Sequence, residues 1–255
     1  MAELDGKVAI VTGAGRLRGI GRGTAVALAK LGSNVVLTGT GRDPSTFPSD
    51  EKEVKWRDIE SSADQVRALG PRALPLVVNV ADSTDVQMMV DRTLEEFGRI
   101  DILVNNAAYA RGPDRVPLLE LDPAILQKVI DVKINGTFLC SKAVARVMID
   151  QGDGGKIVNV SSGAGKSGGA NNLSYNAACF AQVGMTQSMA KELGPYNINV
   201  NCVCPGAVDT SRVDDVGRGE SWQEIARNTP IGRVGTDEEV GAIIAHLCTE
   251  ATSWI

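Results

Sequence analysis

An apolar run followed by a glycine-rich turn and a helical stretch opens this chain. Residues 7–12 are typical of a buried strand, and Gly13, Gly19 and Gly21 follow them before a predicted helix over residues 22–31. Glycines let the backbone approach a phosphate group closely, and the start of a helix offers it unpaired N–H groups. This order of strand, turn and helix indicates a dinucleotide-binding unit rather than an ordinary glycine turn.

Strand and helix patterns alternate along the rest of the chain. Strands are predicted over residues 34–38, 73–80, 101–105, 156–161 and 197–203, and helices over 59–69, 86–97, 123–149 and 175–193. Crossover connections of this kind make the strands parallel, with helices on both faces of the sheet. With 43% apolar residues and no linker or repeat, residues 1–255 are predicted to form one α/β domain, a Rossmann-type doubly wound parallel sheet.

Composition excludes several classes of function. A net charge of −5 and a pI near 5.1, with no run of Lys or Arg, argue against a nucleic-acid partner. No stretch has the apolar length of a signal peptide or a membrane span, so no membrane partner is expected. His246 is the only histidine, in an apolar helical run that favours a structural role, and no CxxC pair occurs, which argues against a metal site or a Ser-His-Asp hydrolase. Five scattered cysteines suit reduced thiols in the cytoplasm.

The region after the second predicted strand bears on the choice of cofactor. This strand ends at Thr38 without the acidic residue that usually accepts hydrogen bonds from the ribose of NAD, so a 2′-phosphate would not be repelled. Arg18 in the glycine turn and Arg42 after the strand are placed to pair with such a phosphate, although either could equally be a solvated surface residue. The sequence therefore favours NADP(H) over NAD(H). Residues 39–58 form a long polar connection, predicted to be a surface excursion near the adenosine end of the site.

Three further motifs carry a resemblance to a known family. Asn105-Asn106-Ala107-Ala108 follows the fourth predicted strand, Ser162 lies thirteen residues before Tyr175, and Pro205-Gly206 follows the sixth. With these motifs the chain resembles the short-chain dehydrogenase/reductase family along its whole length. The resemblance implies hydride transfer between a nicotinamide and a small ketone or secondary alcohol, in a homo-oligomer built on the two long helices. Similar proteins continue into a seventh strand beyond Ile255, so either the chain is truncated or this protein lacks that strand. If the strand is absent, one subunit interface is weakened, and we expect a dimer or a looser tetramer.

The resemblance also assigns roles to individual positions. Ser162 is expected to hydrogen-bond the substrate oxygen, and Tyr175 to donate or remove its proton. The glycine turn has five residues between Gly13 and Gly19, more than the family pattern has, so it should bulge around Arg16 and Leu17. The positions expected to bind the cofactor are Gly13, Arg18, Gly19, Ile20, Gly21, Arg42, Asn79, Val80, Asn105, Ala107, Tyr175, Pro205, Gly206 and Thr210.

Two positions depart from the family pattern. The family has a lysine four residues after the tyrosine, whose charge favours tyrosinate, and Cys179 occupies that position here. Gly136-Thr137-Phe138 fixes a register that puts Lys133 where the family has an active-site asparagine, with Asn135 facing elsewhere. One interpretation is that Lys133 delivers the missing ammonium from the neighbouring helix. The other is that both positions have drifted in a protein that no longer turns over.

The substrate side of the site is less defined by the sequence. Residues 207–228 are polar and are predicted to form a flexible lid, and Tyr109, Arg111 and residues 163–169 to line the mouth. The predicted catalytic residues are Ser162, Tyr175 and Lys133, and no metal is expected to take part. A nucleotide-binding sensor or scaffold is the main alternative. A lyase or dehalogenase on the same scaffold is a third, although such proteins usually lack the intact glycine turn.

Overall fold

The computed structural model describes residues 2–255 and is organised around a six-stranded parallel sheet. The strands lie in the order β3-β2-β1-β4-β5-β6, and their chain order reverses direction between β1 and β4. The bounds are β1 Val8–Val11, β2 Asn34–Gly39, β3 Ala73–Val77, β4 Ile102–Asn105, β5 Gly155–Val160 and β6 Ile198–Val203. This is the doubly wound order that the alternating pattern predicts, and the prediction of fold class is confirmed.

Helices cover both faces of the sheet. Their bounds are α1 Ile20–Lys30, α2 Ser49–Glu53, α3 Ile59–Arg67, α4 Ser83–Phe97, α5 Pro123–Ile130, α6 Gly136–Gln151, α7 Leu173–Leu193, α8 Glu220–Asn228 and α9 Asp237–His246. Local sequence explains several ends: the Asp82 and Asp122 carboxylates cap α4 and α5, and a Thr236–Glu239 capping box begins α9. His246 ends α9 as an exposed residue.

The core lies in two layers, one on each face of the sheet. Successive residues of β1 point to opposite faces, so Ile10 packs with Met89 and Leu103 on one side, whereas Val11 packs with Leu28 on the other. All five of these side chains are fully buried. The sheet is thereby fixed in register, and the carboxyl ends of β1 and β4 meet at one edge.

The long helix predicted over residues 123–149 is interrupted. Asp131–Asn135 forms a π-helical turn between α5 and α6. Such a turn inserts one residue and changes the direction in which its side chains project. Within it Lys133 is buried, whereas Asn135 is exposed and donates to Asp131 Oδ1 at 2.9 Å.

The connection over residues 39–58 is mostly exposed but has local structure and a few buried side chains. It contains a 3-10 turn at Pro44–Thr46 and helix α2, and it buries Phe47, Glu51 and Trp56. Phe47 and Trp56 lie on either side of the charged residues 50–53, and their buried rings pack this polar segment onto the domain.

A second, two-stranded parallel sheet frames residues 207–228. Its strands are β7 Val208–Asp209 and β8 Gly235–Thr236, and a 3-10 segment at Ser211–Val216 precedes α8. Among residues 2–255, no helix has the length and apolar character needed to cross a bilayer.

Candidate active site

A cleft of about 620 Å³ opens at the carboxyl ends of the central strands. It lies at the point where the strand order reverses, between β1 and β4, which is where open α/β sheets bind their ligands. The lining includes backbone of the glycine turn, the ends of β2 and β4, and part of the segment after β6. Predicted cofactor residues that line the cleft are Gly13, Arg18, Gly19, Ile20, Arg42, Asn79, Val80, Ala107 and Thr210.

The glycine turn fits a dinucleotide because its backbone is packed too closely for side chains. Gly13 has a φ of +69°, and a Cβ there would lie 2.9 Å from the Cα of Ala107. A Cβ on Gly21 would lie 2.5 Å from the Gly13 carbonyl oxygen and 2.6 Å from Asn106 Nδ2. Asn106 Nδ2 in turn donates to the carbonyls of Thr12 and Gly13, both at 2.9 Å. The turn is therefore held as a bare backbone cradle at the start of α1, as a pyrophosphate requires.

Five of the predicted cofactor positions lie outside the lining of this cleft, and one of them is Tyr175, described below with the catalytic candidates. Asn105 is buried and donates to Ser141 Oγ and Asn159 Oδ1, both at 2.9 Å, so it ties β4 to its neighbours. The Pro205 carbonyl accepts from the Gly163 N–H at 2.8 Å and thus positions the turn after Ser162. Gly21 packs against the Gly13 carbonyl and the Asn106 side chain. Gly206 is not among the lining residues either.

The two arginines expected to meet a cofactor phosphate are both held by carboxylates. Arg42 pairs with Glu51 and Asp58 at 2.8 Å each, and its Nη2 also donates to the Gly15 carbonyl. Arg18 pairs with Asp50 at 2.7 Å, with Asp214 at 2.8 Å and with Asp209 at 3.0 Å, linking the glycine turn to α2 and to the segment after β6. Their charges are largely compensated within the protein.

Arg16 is an arginine of the glycine turn that sequence reasoning did not select as a cofactor candidate. It lines the cleft, and no carboxylate of residues 2–255 lies within 4.0 Å of its guanidinium. Burial lowers the pKa of Arg16, and the Arg42 charge acts in the same direction. The extra length of the turn, noted as a bulge around Arg16 and Leu17, is the signal that could have identified it.

The connection over residues 39–58 anchors this bulge. Glu51 is fully buried, and its Oε1 accepts from the backbone N–H of Leu17 at 3.0 Å. Trp56 Nε1 donates to the Gly15 carbonyl at 2.7 Å, and Ser62 Oγ donates to the Ala14 carbonyl at 2.7 Å. The two unusual segments of the sequence therefore stabilise each other.

The catalytic candidates come together at the ends of β5 and α7. Ser162 follows β5 and accepts from the Ala164 N–H at 3.2 Å, which leaves its hydroxyl proton available to a ligand. The ammonium of Lys133 is buried, donates to the Val160 carbonyl at 2.9 Å and lies 5.8 Å from the centre of the Tyr175 ring. Cys179 is fully buried beside them. Lys133 and Cys179 thus occupy the interior behind Tyr175.

Burial acts on both titratable groups of this centre. It lowers the pKa of Lys133 to about 8; the Arg212 charge acts in the same direction, whereas three nearby thiols oppose it. These thiols belong to Cys179, Cys202 and Cys204. Burial raises the pKa of Tyr175, whereas the Arg212 charge and the Ser162 hydroxyl lower it. A tyrosinate here depends on neighbouring positive charge.

Two arginines stand over the tyrosine in addition to the lysine. The guanidinium carbon of Arg115 lies 4.5 Å from the centre of the Tyr175 ring, and that of Arg212 lies 5.0 Å from it. Both distances are within cation–π range. Arg115 follows β4 in a loop without a recognisable motif, so no sequence signal indicated it. Arg212 lies within residues 207–228, for which the sequence predicts only a polar lid.

A doubly wound sheet with a dinucleotide cradle and a Ser-Tyr pair defines a nicotinamide-dependent oxidoreductase. Residues 13–255 match a family profile described as enoyl-(acyl carrier protein) reductase. The chain belongs to the short-chain dehydrogenase/reductase family of NAD(P)-dependent oxidoreductases, as its motifs indicate.

Relatives extend over nearly the whole chain. It is 35% identical over 254 residues to the 3-oxoacyl-[acyl-carrier-protein] reductase of Synechocystis sp., covering 98% of this chain and 92% of the relative. It is 34% identical over 254 residues to the 2-dehydro-3-deoxy-D-gluconate 5-dehydrogenase of Escherichia coli, covering 99% and 92%. The crystal structure of carveol dehydrogenase from Mycobacterium avium in complex with NAD matches with a TM-score of 0.87 at 28% identity, covering 100% of this chain and 95% of that one.

Proposed function

We propose that this protein interconverts a ketone and a secondary alcohol with a nicotinamide cofactor, using Tyr175 as acid and base, Ser162 to orient the oxygen, and Lys133 to supply positive charge. The observation that carries the proposal is the buried Lys133 ammonium behind Tyr175. A lysine whose charge served only solubility would lie at the surface. The relatives named as reductases and dehydrogenases support the reaction class.

Each residue has a separate task in this reaction. The residues of the glycine turn and the cleft would hold a nicotinamide cofactor, whose chemistry there would be hydride transfer to or from the substrate carbon. Tyr175 Oη donates its proton to the carbonyl oxygen, and the Ser162 hydroxyl donates a hydrogen bond that holds this oxygen in place. In the oxidation direction the tyrosinate removes the alcohol proton.

The cations near Tyr175 oppose the effect of its burial on the pKa. A unit charge about 6 Å away stabilises a tyrosinate by on the order of 2–3 kcal/mol at an effective dielectric constant of about 20. Each 1.36 kcal/mol corresponds to about one pKa unit. The Arg212 charge therefore opposes the desolvation that still leaves the pKa of Tyr175 raised, and a protonated Lys133 would act in the same direction as Arg212.

For the cofactor we propose that NADP(H) is favoured over NAD(H), with Arg16 as the principal partner of the 2′-phosphate. Arg16 lines the cleft without a carboxylate partner in residues 2–255, whereas Arg42 and Arg18 are already paired. Guanidinium groups bind phosphate in a bidentate manner. Arg42 then shapes the pocket through Glu51 and Asp58 more than it binds the phosphate.

We also propose a homo-oligomer that uses the long helices. Phe138 on α6 is 50% exposed and Phe180 on α7 is 46% exposed. Large apolar side chains on two long helices are typical of an interface with a second copy. The mass by light scattering of the wild type and of Phe180→Asp tests this, and a monomeric wild type would contradict it.

The test of activity is turnover with a panel of ketones, 3-oxoacyl thioesters, polyols and sugar acids, each with NADPH and NADH. Tyr175→Phe should reduce kcat by about 10²–10⁴-fold, the range that acid–base catalysis contributes, while it retains cofactor affinity. Tight cofactor binding without turnover of any substrate would support the nucleotide-binding scaffold instead.

A further inference from the structure

We propose that the substrate carries an oxyanion, a carboxylate or phosphate, that Arg212 and Arg115 bind beside the catalytic tyrosine. The inference rests on the proposed function, because it concerns the substrate of the same site. It adds a substrate class and two substrate-binding residues to that function.

The placement of the two guanidinium groups is the first argument. They come from different segments, Arg115 from the loop after β4 and Arg212 from the 3-10 segment Ser211–Val216, and they converge on one aromatic ring. Like charges repel when they converge. Burial lowers the pKa of Arg115 and the Arg212 charge acts in the same direction, whereas the Asp114 carboxylate opposes them. An anionic ligand would relieve this repulsion.

The three aspartates of residues 209–215, in the segment that covers the substrate side of the site, are the second argument, because each pairs with an arginine other than Arg212. Asp209 and Asp214 pair with Arg18 and Arg218, and Asp215 pairs with Arg111. Among residues 2–255, no carboxylate lies within 4.0 Å of the Arg212 guanidinium. Residues 209–218, which carry three aspartates and two arginines, therefore present one positive charge without a carboxylate partner, Arg212, to Tyr175.

The remaining hydrogen-bonding capacity of the arginines is the third argument. Arg212 Nη1 donates to the Tyr109 carbonyl, and Arg115 Nη1 donates to the buried Asp114 carboxylate. Within residues 2–255, the Nε and Nη2 groups of both arginines have no hydrogen-bond acceptor, and neither side chain has a fully buried unsatisfied nitrogen. Donors that are neither satisfied nor sealed from solvent are available to a ligand.

The balance of charge supports the same conclusion. Lys133, Arg115 and Arg212 surround Tyr175, and Asp114 is the one carboxylate paired with this group in the described chain. A neutral ketone would leave the excess positive charge without a counterion in a partly desolvated site. A carboxylate or phosphate attached near the carbonyl would compensate it and orient the carbonyl toward Ser162 and Tyr175.

The reaction itself is unchanged by the anionic group. The oxo acid and the reduced nicotinamide with one proton give the hydroxy acid and the oxidised nicotinamide, and the oxyanion on the arginines neither gains nor loses a bond. Its contribution is binding energy at a distance from the reacting carbon.

The test compares matched substrates with matched variants. The panel contains small oxo acids, their methyl esters and the corresponding oxo phosphates, assayed with wild type, Arg212→Gln, Arg115→Gln and Arg212→Lys. The wild type should prefer the anions by kcat/KM, and Arg212→Gln should lower this preference by about 10- to 100-fold, the effect of one hydrogen bond to a charged group. Arg212→Lys should restore part of the preference for anions. The ratio of kcat/KM for oxo phosphates to that for oxo acids shows whether the oxyanion is a phosphate or a carboxylate. Arg92→Gln, an exposed arginine on α4, is the control.

Other outcomes separate this inference from the proposed function. Turnover of esters and acids with equal kcat/KM would overturn the inference and leave the proposed function standing. If no substrate turns over, calorimetry with the cofactor complex still decides the inference: oxo acid binding that Arg212→Gln abolishes supports it, and binding that is unchanged or absent overturns it. Melting temperatures of each variant show whether a loss reflects unfolding.

Discussion

The cofactor side and the substrate side of the site differ in whether their arginine and lysine side chains have carboxylate partners. Around the glycine turn, Arg18 and Arg42 are each held by two or more carboxylates. Around Tyr175, Arg115 pairs with Asp114, but Lys133 donates only to a backbone carbonyl and Arg212 has no carboxylate partner in residues 2–255. Paired charges fix the shape of a binding surface, whereas unpaired charges act on whatever enters or reacts there.

Packing differs between the two sides in the same sense. On the cofactor side Glu51 and Trp56 are buried and hydrogen-bonded to the glycine turn. On the substrate side α8, which lies wholly within the described chain, buries none of its residues. Segments with few buried contacts open at low free energy. We therefore expect a rigid nucleotide cradle beside a covering segment that moves to admit substrate.

The sharpest way to break this comparison is to remove the unpaired ammonium. Lys133→Met should reduce kcat by about 100-fold, within the range that acid–base assistance supplies. Because the pKa of Lys133 is lowered to about 8, its positive charge is present at lower pH and is lost as the pH rises through this value. The wild-type rate of ketone reduction should fall above pH 8, and Lys133→Met should lack this limb. Steady-state rates between pH 6 and 10 measure both.

The control for this prediction is Lys128→Met, an exposed lysine on α5 one turn earlier. It should retain the wild-type rate and pH profile. A Lys133→Met variant with unchanged turnover would show that the ammonium was not relocated to this position.

On the cofactor side the largest expected effect is steric. Gly21→Ala would place a Cβ 2.5 Å from the Gly13 carbonyl oxygen. The backbone fixes the positions of both atoms, so no side-chain rotation can relieve the contact. We expect destabilisation by about 3 kcal/mol, at the upper end for overpacking, together with weaker cofactor binding. Chemical denaturation and cofactor titration measure the two effects.

Gly184→Ala is the matched control, because nothing lies within 4 Å of its added Cβ and it is an exposed residue inside α7. That variant should be stabilised by up to about 1 kcal/mol through helix propensity. Equal stability changes in the two variants would contradict the close packing of the cradle.

Breaking one buried pair tests whether compensation of charge holds the bulged turn. Glu51→Gln keeps the shape and an acceptor for the Leu17 N–H but leaves Arg42 with Asp58 as its carboxylate. We expect a loss of about 2 kcal/mol in stability, as for removal of a buried charged partner, and a higher KM for the cofactor. Glu53→Gln, exposed on the same short helix, should change neither. A normal cofactor KM in Glu51→Gln would show that the pair is not required.

The fold and much of the site could be predicted from the sequence because they depend on local patterns. Alternating apolar strands and the glycine spacing determine the sheet order and the cradle, and the Ser162 to Tyr175 spacing follows from β5 and α7. The π-helical turn around Lys133 could not be predicted, since one inserted backbone residue leaves the apolar period of a helix nearly unchanged. Nor could the pairing of Arg42 with Glu51, which depends on how a polar loop packs in three dimensions.

The smallest predicted effect concerns Arg16, which lines the cofactor side without a carboxylate partner in residues 2–255. It is the exception to the pairing of arginines on this side. If free charge acts on ligands on this side as well, Arg16→Ala should lower the kcat/KM ratio of NADPH to NADH by about tenfold, the lower range for a hydrogen bond to a charged group. Arg57→Ala, an exposed arginine paired with Asp64, should leave the ratio unchanged. A ratio that falls instead in Arg42→Ala and not in Arg16→Ala would mean that a 2′-phosphate displaces Glu51 and Asp58. The ion pairs of Arg42 would then hold this arginine until the ligand binds it, rather than hold the shape of the glycine turn.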